Sequence, residues 1–245
     1  MHSGDHMKNI FFRSLFVLVA LSSQIVFAED KKVDLQVTAS AKSVKTSSKD
    51  DQDGPGEHIH SQLETAKELN MKAFFKTELL GDFKIGPSFS WQTYDENCKN
   101  SFCASATNAL FGVAGELKQK VADKTEMFLT GTFVPFSVGT LHATAPLTIQ
   151  HPSGYRKIET GEYAMNFSTV SLAVAPGIKY SLNDQFKILG QLELSYESHN
   201  AKAAKLEVNS KNFSYRKIIK KDSEIEKHSF SSAATGLGIG LEYSF

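Results

Sequence analysis

Val170–Glu197 reads VSLAVAPGIKYSLNDQFKILGQLELSYE, and its reading decides the fold. Val170, Leu172, Val174, Pro176, Ile178 and Tyr180 recur at every second position, and so do most of Phe186, Ile188, Leu192, Leu194 and Tyr196. A period of two marks an extended strand with two unlike faces. Between the runs, Ser181–Gln185 holds Asn183 and Asp184, residues suited to a tight hairpin. Lys179, Lys187, Glu193 and Glu197 all fall on the face opposite the apolar residues.

The same pattern recurs along the chain. It predicts strands over Val33–Ser43, Met71–Leu80, Phe83–Thr93, Ala109–Lys118, Glu126–Phe136, Val170–Tyr180, Phe186–Glu197 and Ala233–Phe245. Within them Asp34, Glu78, Glu116, Glu126, Glu193, Glu197 and Glu242 oppose the apolar face, as do Lys42, Lys72, Lys76, Lys84, Lys118, Lys179 and Lys187. Alternation alone suits a soluble sandwich, apolar inward, or a transmembrane barrel, apolar toward lipid. The connections separate them. Val44–Asn70, Tyr94–Asn108, Ser137–Thr169 and Ser198–Ser232 are long, whereas Gly81-Asp82, Gln119–Thr125 and Ser181–Gln185 are short, in strict alternation. A closed up-and-down barrel then carries every long loop on one rim, as outer-membrane barrels do. The fold class expected is all-β: a closed eight-stranded antiparallel up-and-down transmembrane β-barrel, with both termini on the short-turn side. Val33–Ser43 is the weakest strand because its apolar residues are small. Pro87, Pro135 and Pro176 interrupt strands and predict local bulges there, or misplaced strand boundaries.

Composition fits this architecture. The 245 residues carry no formal net charge, which argues against a nucleic-acid partner. Mean hydropathy is -0.25, and the one long apolar run is N-terminal, so a bundle of membrane helices of about 20 apolar residues each is excluded. At the N-terminus, Lys8 and Arg13 precede an apolar core at Leu15–Leu21, and Val26-Phe27-Ala28 supplies small residues at the cleavage position. Residues 1–28 are therefore expected to be a cleaved secretory signal, and 29–245 a single barrel domain. Export into an oxidising compartment permits a disulfide between Cys98 and Cys103. Two free thiols remain the other reading, and no further ligand lies near in sequence for a metal.

The final segment, Gly238-Ile239-Gly240-Leu241-Glu242-Tyr243-Ser244-Phe245, resembles the terminal signal of bacterial outer-membrane β-barrels. Gly240, Tyr243 and Phe245 fill its glycine, aromatic and terminal-aromatic positions. The resemblance is to the small eight-stranded group that includes the OmpA transmembrane domain, OmpX and the opacity proteins. It implies residence in the outer membrane, among outer-membrane lipid and lipopolysaccharide, and delivery by the barrel-assembly machinery. Gly236, Gly238 and Gly240 are not a dinucleotide loop, because no helix follows them; at period two they make room inside a narrow lumen.

An eight-stranded barrel is just wide enough for side chains to fill it. The predicted lumen charges (Lys76, Glu78, Lys84, Glu116, Lys118, Glu126, Lys179, Lys187, Glu193 and Glu242 among them) are balanced in sign, which predicts a salt-bridged plug rather than a wide pore. Function then falls to the loops. The first long loop is acidic over Lys49–Glu68. The last is basic, with Lys202, Lys205, Lys211, Arg216, Lys217, Lys220, Lys221 and Lys227. Either the two attract each other, or the basic loop meets anionic lipopolysaccharide or a host or partner surface. His58, His60, His142, His151, His199 and His228 all fall in predicted long loops, where they read as ordinary loop residues with no metal site. One lipid A deacylase family carries a His-x-Ser pair with a later Glu, and His151-Pro152-Ser153 with Glu159 or Glu162 has that spacing, but in a loop rather than on a strand. The expectation is a non-enzymatic outer-membrane protein with no catalytic residues, metal or cofactor. It displays extracellular loops for surface interaction, adhesion or envelope integrity. A lipid A hydrolase and a narrow channel stand as the alternatives.

Overall fold

A computed structural model describes residues 33–48, 61–76, 83–99, 102–150, 156–209 and 227–245. They form strands β1 (Val33–Ser48), β2 (Thr65–Lys76), β3 (Lys84–Lys99), β4 (Phe102–Ala122), β5 (Thr125–Gln150), β6 (Arg156–Ser181), β7 (Phe186–Asn209) and β8 (Lys227–Ser244). Each strand pairs antiparallel with the next, and β1 pairs with β8, so the sheet is a closed up-and-down barrel. The weakly apolar first segment is thus a full member of the wall, paired on both sides.

The register sets the tilt. From Val33 the partners run round the ring through Phe75, Ile85, Gly115, Gly131, Val174, Leu194 and Thr235, and return to β1 at Ser43, ten positions further along. A closed sheet needs such a stagger, and it inclines every strand to the barrel axis. Glycines let the staggered wall close around full-sized side chains. A Cβ on Gly240 would lie 2.2 Å from the Val37 carbonyl oxygen and 2.7 Å from Thr38 Cγ2, and one on Gly236 would strike Lys42 Cγ at 2.7 Å.

The strands are longer than the alternation of apolar residues indicates. Of the four expected long loops, Tyr94–Asn108 and Ser137–Thr169 are strand over all their described residues, β7 and β8 extend into both ends of Ser198–Ser232, and β1 and β2 into both ends of Val44–Asn70. The reason is physical. Period-two alternation continues past Thr93, Phe136, Val170 and Glu197, but with the polar residues now outside. A criterion that follows one apolar face stops where the surroundings change. His199, His142 and His228 therefore lie on strands rather than in loops, and so do Lys202, Lys205 and Lys227. His58, His60, His151, Glu78, the Gly81-Asp82 turn, and Lys211, Arg216, Lys217, Lys220 and Lys221 lie outside the described residues, as does the N-terminal segment 1–28.

Of the three prolines expected to mark bulges, one accompanies a bulge. The register shifts between Val134 and Gly139 around Pro135. The extra residue reverses facing along β5: Thr132 and Val134 are buried before it, Ser137, Leu141 and Ala143 after it. Pro87 and Pro176 instead stand exposed on the outer wall in a register that does not shift, which corrects the expectation of bulges there.

Candidate functional site

The outer surface defines the class of protein. Ile85, Val113, Leu129, Phe133, Leu172, Ile178, Leu194, Leu237, Ile239 and Leu241 are all exposed, and they cover the wall from β3 round to β8. Water-soluble monomers rarely expose more than a few hundred Å² of contiguous apolar surface. Aromatic residues bound this surface. Trp91, Phe136 and Tyr196 lie toward the long-strand rim. Tyr180, Phe186, Tyr243 and Phe245 lie at the short-turn rim, where the Tyr243 ring packs 4.7 Å from Phe186 and 4.6 Å from Phe245. An apolar belt between two aromatic girdles, on a closed barrel with an ionic lumen, is a transmembrane β-barrel.

Inside the belt the lumen is braced by charge. Lys179 of β6 sits at the centre, 2.6 Å from Glu116 of β4 and paired also with Glu242 of β8; none of the three side chains is exposed. Lys187 reaches Glu126 at 2.9 Å and Glu242 at 3.6 Å, Lys118 lies 3.8 Å from Glu126, and Lys84 pairs with Asp34. The Lys179 ammonium also lies 4.8 Å from the centre of the Phe128 ring, which fills part of the lumen with Phe74 and Leu189. A second tier lies closer to the long-strand rim, where Lys42 pairs with Glu68 and Glu193. Beside it, Lys42, Glu68, Lys72 and Glu193 line a cavity of about 20 Å³, room for one water. Charges taken out of water this way are tolerated only when paired. Lys76 departs from the expectation: it is exposed at the short-turn mouth, because it is the last residue of β2.

Above the second tier the wall turns inside out. Val44, Leu63, Tyr94, Leu141, Met165, Phe167 and Phe230 form a buried cluster within the barrel, while Lys67, Thr140, His142, Asn166, Ser168, Asn200 and Ser229 are exposed outside it. This is the polarity of a soluble barrel. At its base is His199, 1 % exposed and stacked on Phe167 with ring centres 5.0 Å apart. Asn108 Nδ2 donates to Thr169 Oγ1 at 2.8 Å, and His199 is hydrogen-bonded through both ring nitrogens, Nδ1 to Thr169 Oγ1 and Nε2 to Ser232 Oγ, each at 2.8 Å. His199 lies beyond the Tyr196 girdle, and burial holds its pKa down to about 3. Glu197 just below accepts from Tyr94 Oη at 2.8 Å and from Gln92 Nε2 at 3.2 Å.

Ser232, His199 and Glu197 are the residue types of a hydrolytic triad, but the geometry is wrong for one. A triad needs the acid on the ring nitrogen away from the nucleophile. Here Glu197 Oε2 lies 3.5 Å from Nε2, the nitrogen that already faces Ser232, and all three residues are buried. The arrangement caps the lumen. Reading the sequence as loop beyond Glu197 concealed this network; the signal that finds it is the unbroken step Ser195, Glu197, His199, Ala201 on one face.

Elsewhere, Cys98 and Cys103 pair directly across β3 and β4 with Cα atoms 4.1 Å apart and form a disulfide. With Glu96 they are the one group of potential metal ligands among the described residues, and the disulfide occupies both thiols. Gly240 and Tyr243 lie on β8 and Phe245 just past it; Phe245 N–H donates to the Val33 carbonyl oxygen at 3.0 Å, which closes the seam of the barrel. Of the proposed deacylase residues, Glu162 is exposed on β6, and His151 and Ser153 lie outside the described residues.

No protein-family model matches the chain, and no curated protein sequence does. Solved structures to which it is similar include neisserial surface protein A, at 13% identity and a TM-score of 0.42 over 86% of this chain and 97% of that one. The Yersinia pestis attachment invasion locus protein Ail, in complex with the heparin analogue sucrose octasulfate, matches at 12% identity and 0.38 over 88% and 99%. The Escherichia coli outer-membrane protease OmpT matches at 8% identity and 0.40 over 89% and 98%.

Proposed function

We infer that this chain is a bacterial outer-membrane protein whose barrel is an anchor and whose long-strand hairpins do its work outside the cell. In this reading residues 1–28 are a removed export signal and 29–245 a single barrel domain. The termini face the periplasm, and Gly240, Tyr243 and Phe245 are read by the barrel-assembly machinery. The activity is non-enzymatic: surface interaction, adhesion or envelope integrity. The partners are lipopolysaccharide and a host or cell-surface ligand met by the basic end of the β7–β8 hairpin. Neither nucleic acid nor a cofactor belongs to the reading. The observation that carries it is the state of the lumen. Buried ion pairs brace it from Lys187 up to Lys42, and the His199–Phe167–Phe230 cluster caps it.

The test has three arms on one strain set and a fourth on purified protein. Protease shaving of intact cells should cut within 210–226 and spare the belt. Deletion of the hairpin tips should lower binding of the cells to host matrix or to sister cells without removing the barrel from the membrane. Lipid A mass spectra should be the same with and without the gene. Planar bilayers holding the refolded protein should stay silent. Loss of acyl chains on overexpression overturns the non-enzymatic reading in favour of a hydrolase, and steady single-channel steps overturn the closed lumen.

A further inference from the structure

The Cys98–Cys103 bond sits where it has little left to hold. The two residues face each other across β3 and β4, and the strands are already paired on either side of them, Asn97 with Ala104 and Lys99 with Phe102. The cysteines are separated by 5 positions in sequence, so the bond removes little freedom from the unfolded chain. It also lacks shelter. Cys98 is exposed and Cys103 half-buried, whereas Ala104 and Ala106, next along β4, are buried. Disulfides that hold a secreted fold resist reduction, while exposed ones exchange readily. A negative charge stands beside this one: the Glu96 carboxylate lies within 4.8 Å of both sulfurs. The neighbouring acid, Asp95, is neutralised by Lys67 at 2.7 Å.

We propose that the β3–β4 tip is a thiol-exchange site, at which Cys98 captures a partner's cysteine thiol from a basic surface and holds it as a mixed disulfide. The step needs no oxidant. The partner thiol gives its proton to water, and its thiolate attacks Cys98 Sγ. A new S–S bond forms between the two. The Cys98–Cys103 bond breaks, and its electron pair leaves with Cys103 Sγ, which takes a proton from water. Access selects Cys98 as the sulfur attacked, because it is the exposed member of the pair. Cys103 is the leaving group, and its return to Cys98 releases the partner. Charge selects the partner: the attacking species is an anion, and Glu96 repels it unless cationic groups travel with the thiol. The backbone pairs on either side keep the hairpin closed while the bond is open. The inference goes beyond the adhesive reading and does not depend on it.

The test uses the refolded full-length barrel in neutral detergent, exposed to cysteamine, a cationic thiol, or to mercaptoacetate, an anionic one. The reaction is quenched with acidic N-ethylmaleimide and mapped by mass spectrometry. The adduct should lie on Cys98, with Cys103 alkylated. Rates per thiolate should favour cysteamine, and Glu96→Gln should lower that preference about threefold. Comparing the ratio of rates in the two proteins cancels the intrinsic difference between the reagents. Added salt should lower the preference as well. Cys98→Ser with Cys103→Ser should take up no thiol and keep the mobility of a folded barrel on an unboiled gel. Exchange that begins only after the barrel unfolds, an adduct on Cys103, a preference untouched by Glu96→Gln, or loss of folded mobility in the double variant overturns the proposal.

Discussion

Below the Trp91–Tyr196 girdle the wall carries Leu129 and Leu172 outside and Glu116, Lys179 and Glu242 inside; above it Thr140 and Ser168 are outside and Leu141 and Phe167 inside. One continuous sheet thus serves two solvents. The strand gives each side chain a direction, and the medium beyond the wall decides which chemistry may point that way. In the lower half, lipid rejects charge, so polar groups turn inward and must neutralise one another in a narrow lumen. In the upper half, water accepts polar groups, so the lumen can be packed with apolar side chains as in a soluble barrel. The β5 bulge lies at this boundary and changes which residue numbers face in.

The comparison breaks most visibly if its charged centre is removed. Lys179→Ala leaves Glu116 and Glu242 buried without their shared cation, and should cost about 3–5 kcal/mol in urea unfolding from lipid vesicles. A loss below about 1 kcal/mol would mean that the lumen is hydrated and the pairing incidental. The next effect comes from one change made on the same outer face of each half. Leu129→Lys, within the belt, should cost about 2–4 kcal/mol in the same assay, whereas Thr140→Lys, above it, should stay within about 0.5 kcal/mol. Equal costs would erase the membrane boundary drawn here.

Acid should separate the halves. His199 titrates near 3 when folded against an ordinary 6.5, so the unfolded or opened chain takes up the proton more readily. Its contribution is intact above pH 6.5 and should fall by about 1 kcal/mol per pH unit below that. The loss should show as increased amide exchange around Phe167 and Phe230 while the belt strands remain protected. His199→Gln should flatten the pH profile. The smallest effect is expected from reduction of Cys98–Cys103. The bond closes only a short loop at the β3–β4 tip, so losing it should cost about 2 kcal/mol at most and raise exchange in that hairpin alone.

Much of the belt was legible in the sequence because lipid imposes one rule on all eight strands. Runs such as Leu192, Leu194, Tyr196 and Leu237, Ile239, Leu241 leave little room for another reading. The cap was not legible for the same reason. Beyond Tyr196 the inward residues are His199 and Ala201, and beyond Ala233 they are Ser232 and Phe230, a mixture without the contrast that marks a strand. The His199 network also joins β4, β6, β7 and β8, residues far apart in the chain.

The sequence alone determined the number of strands, their up-and-down order and which face of each meets lipid. Those follow from a period of two and from the lengths between turns, both local properties of the chain. The tertiary structure decided the ten-position stagger, which lysine meets which glutamate, where β5 changes face, and that the upper lumen is a packed core. These depend on closure: only when β8 meets β1 do side chains from opposite walls share one space, and pairing and packing are set there by distance rather than by order in the chain.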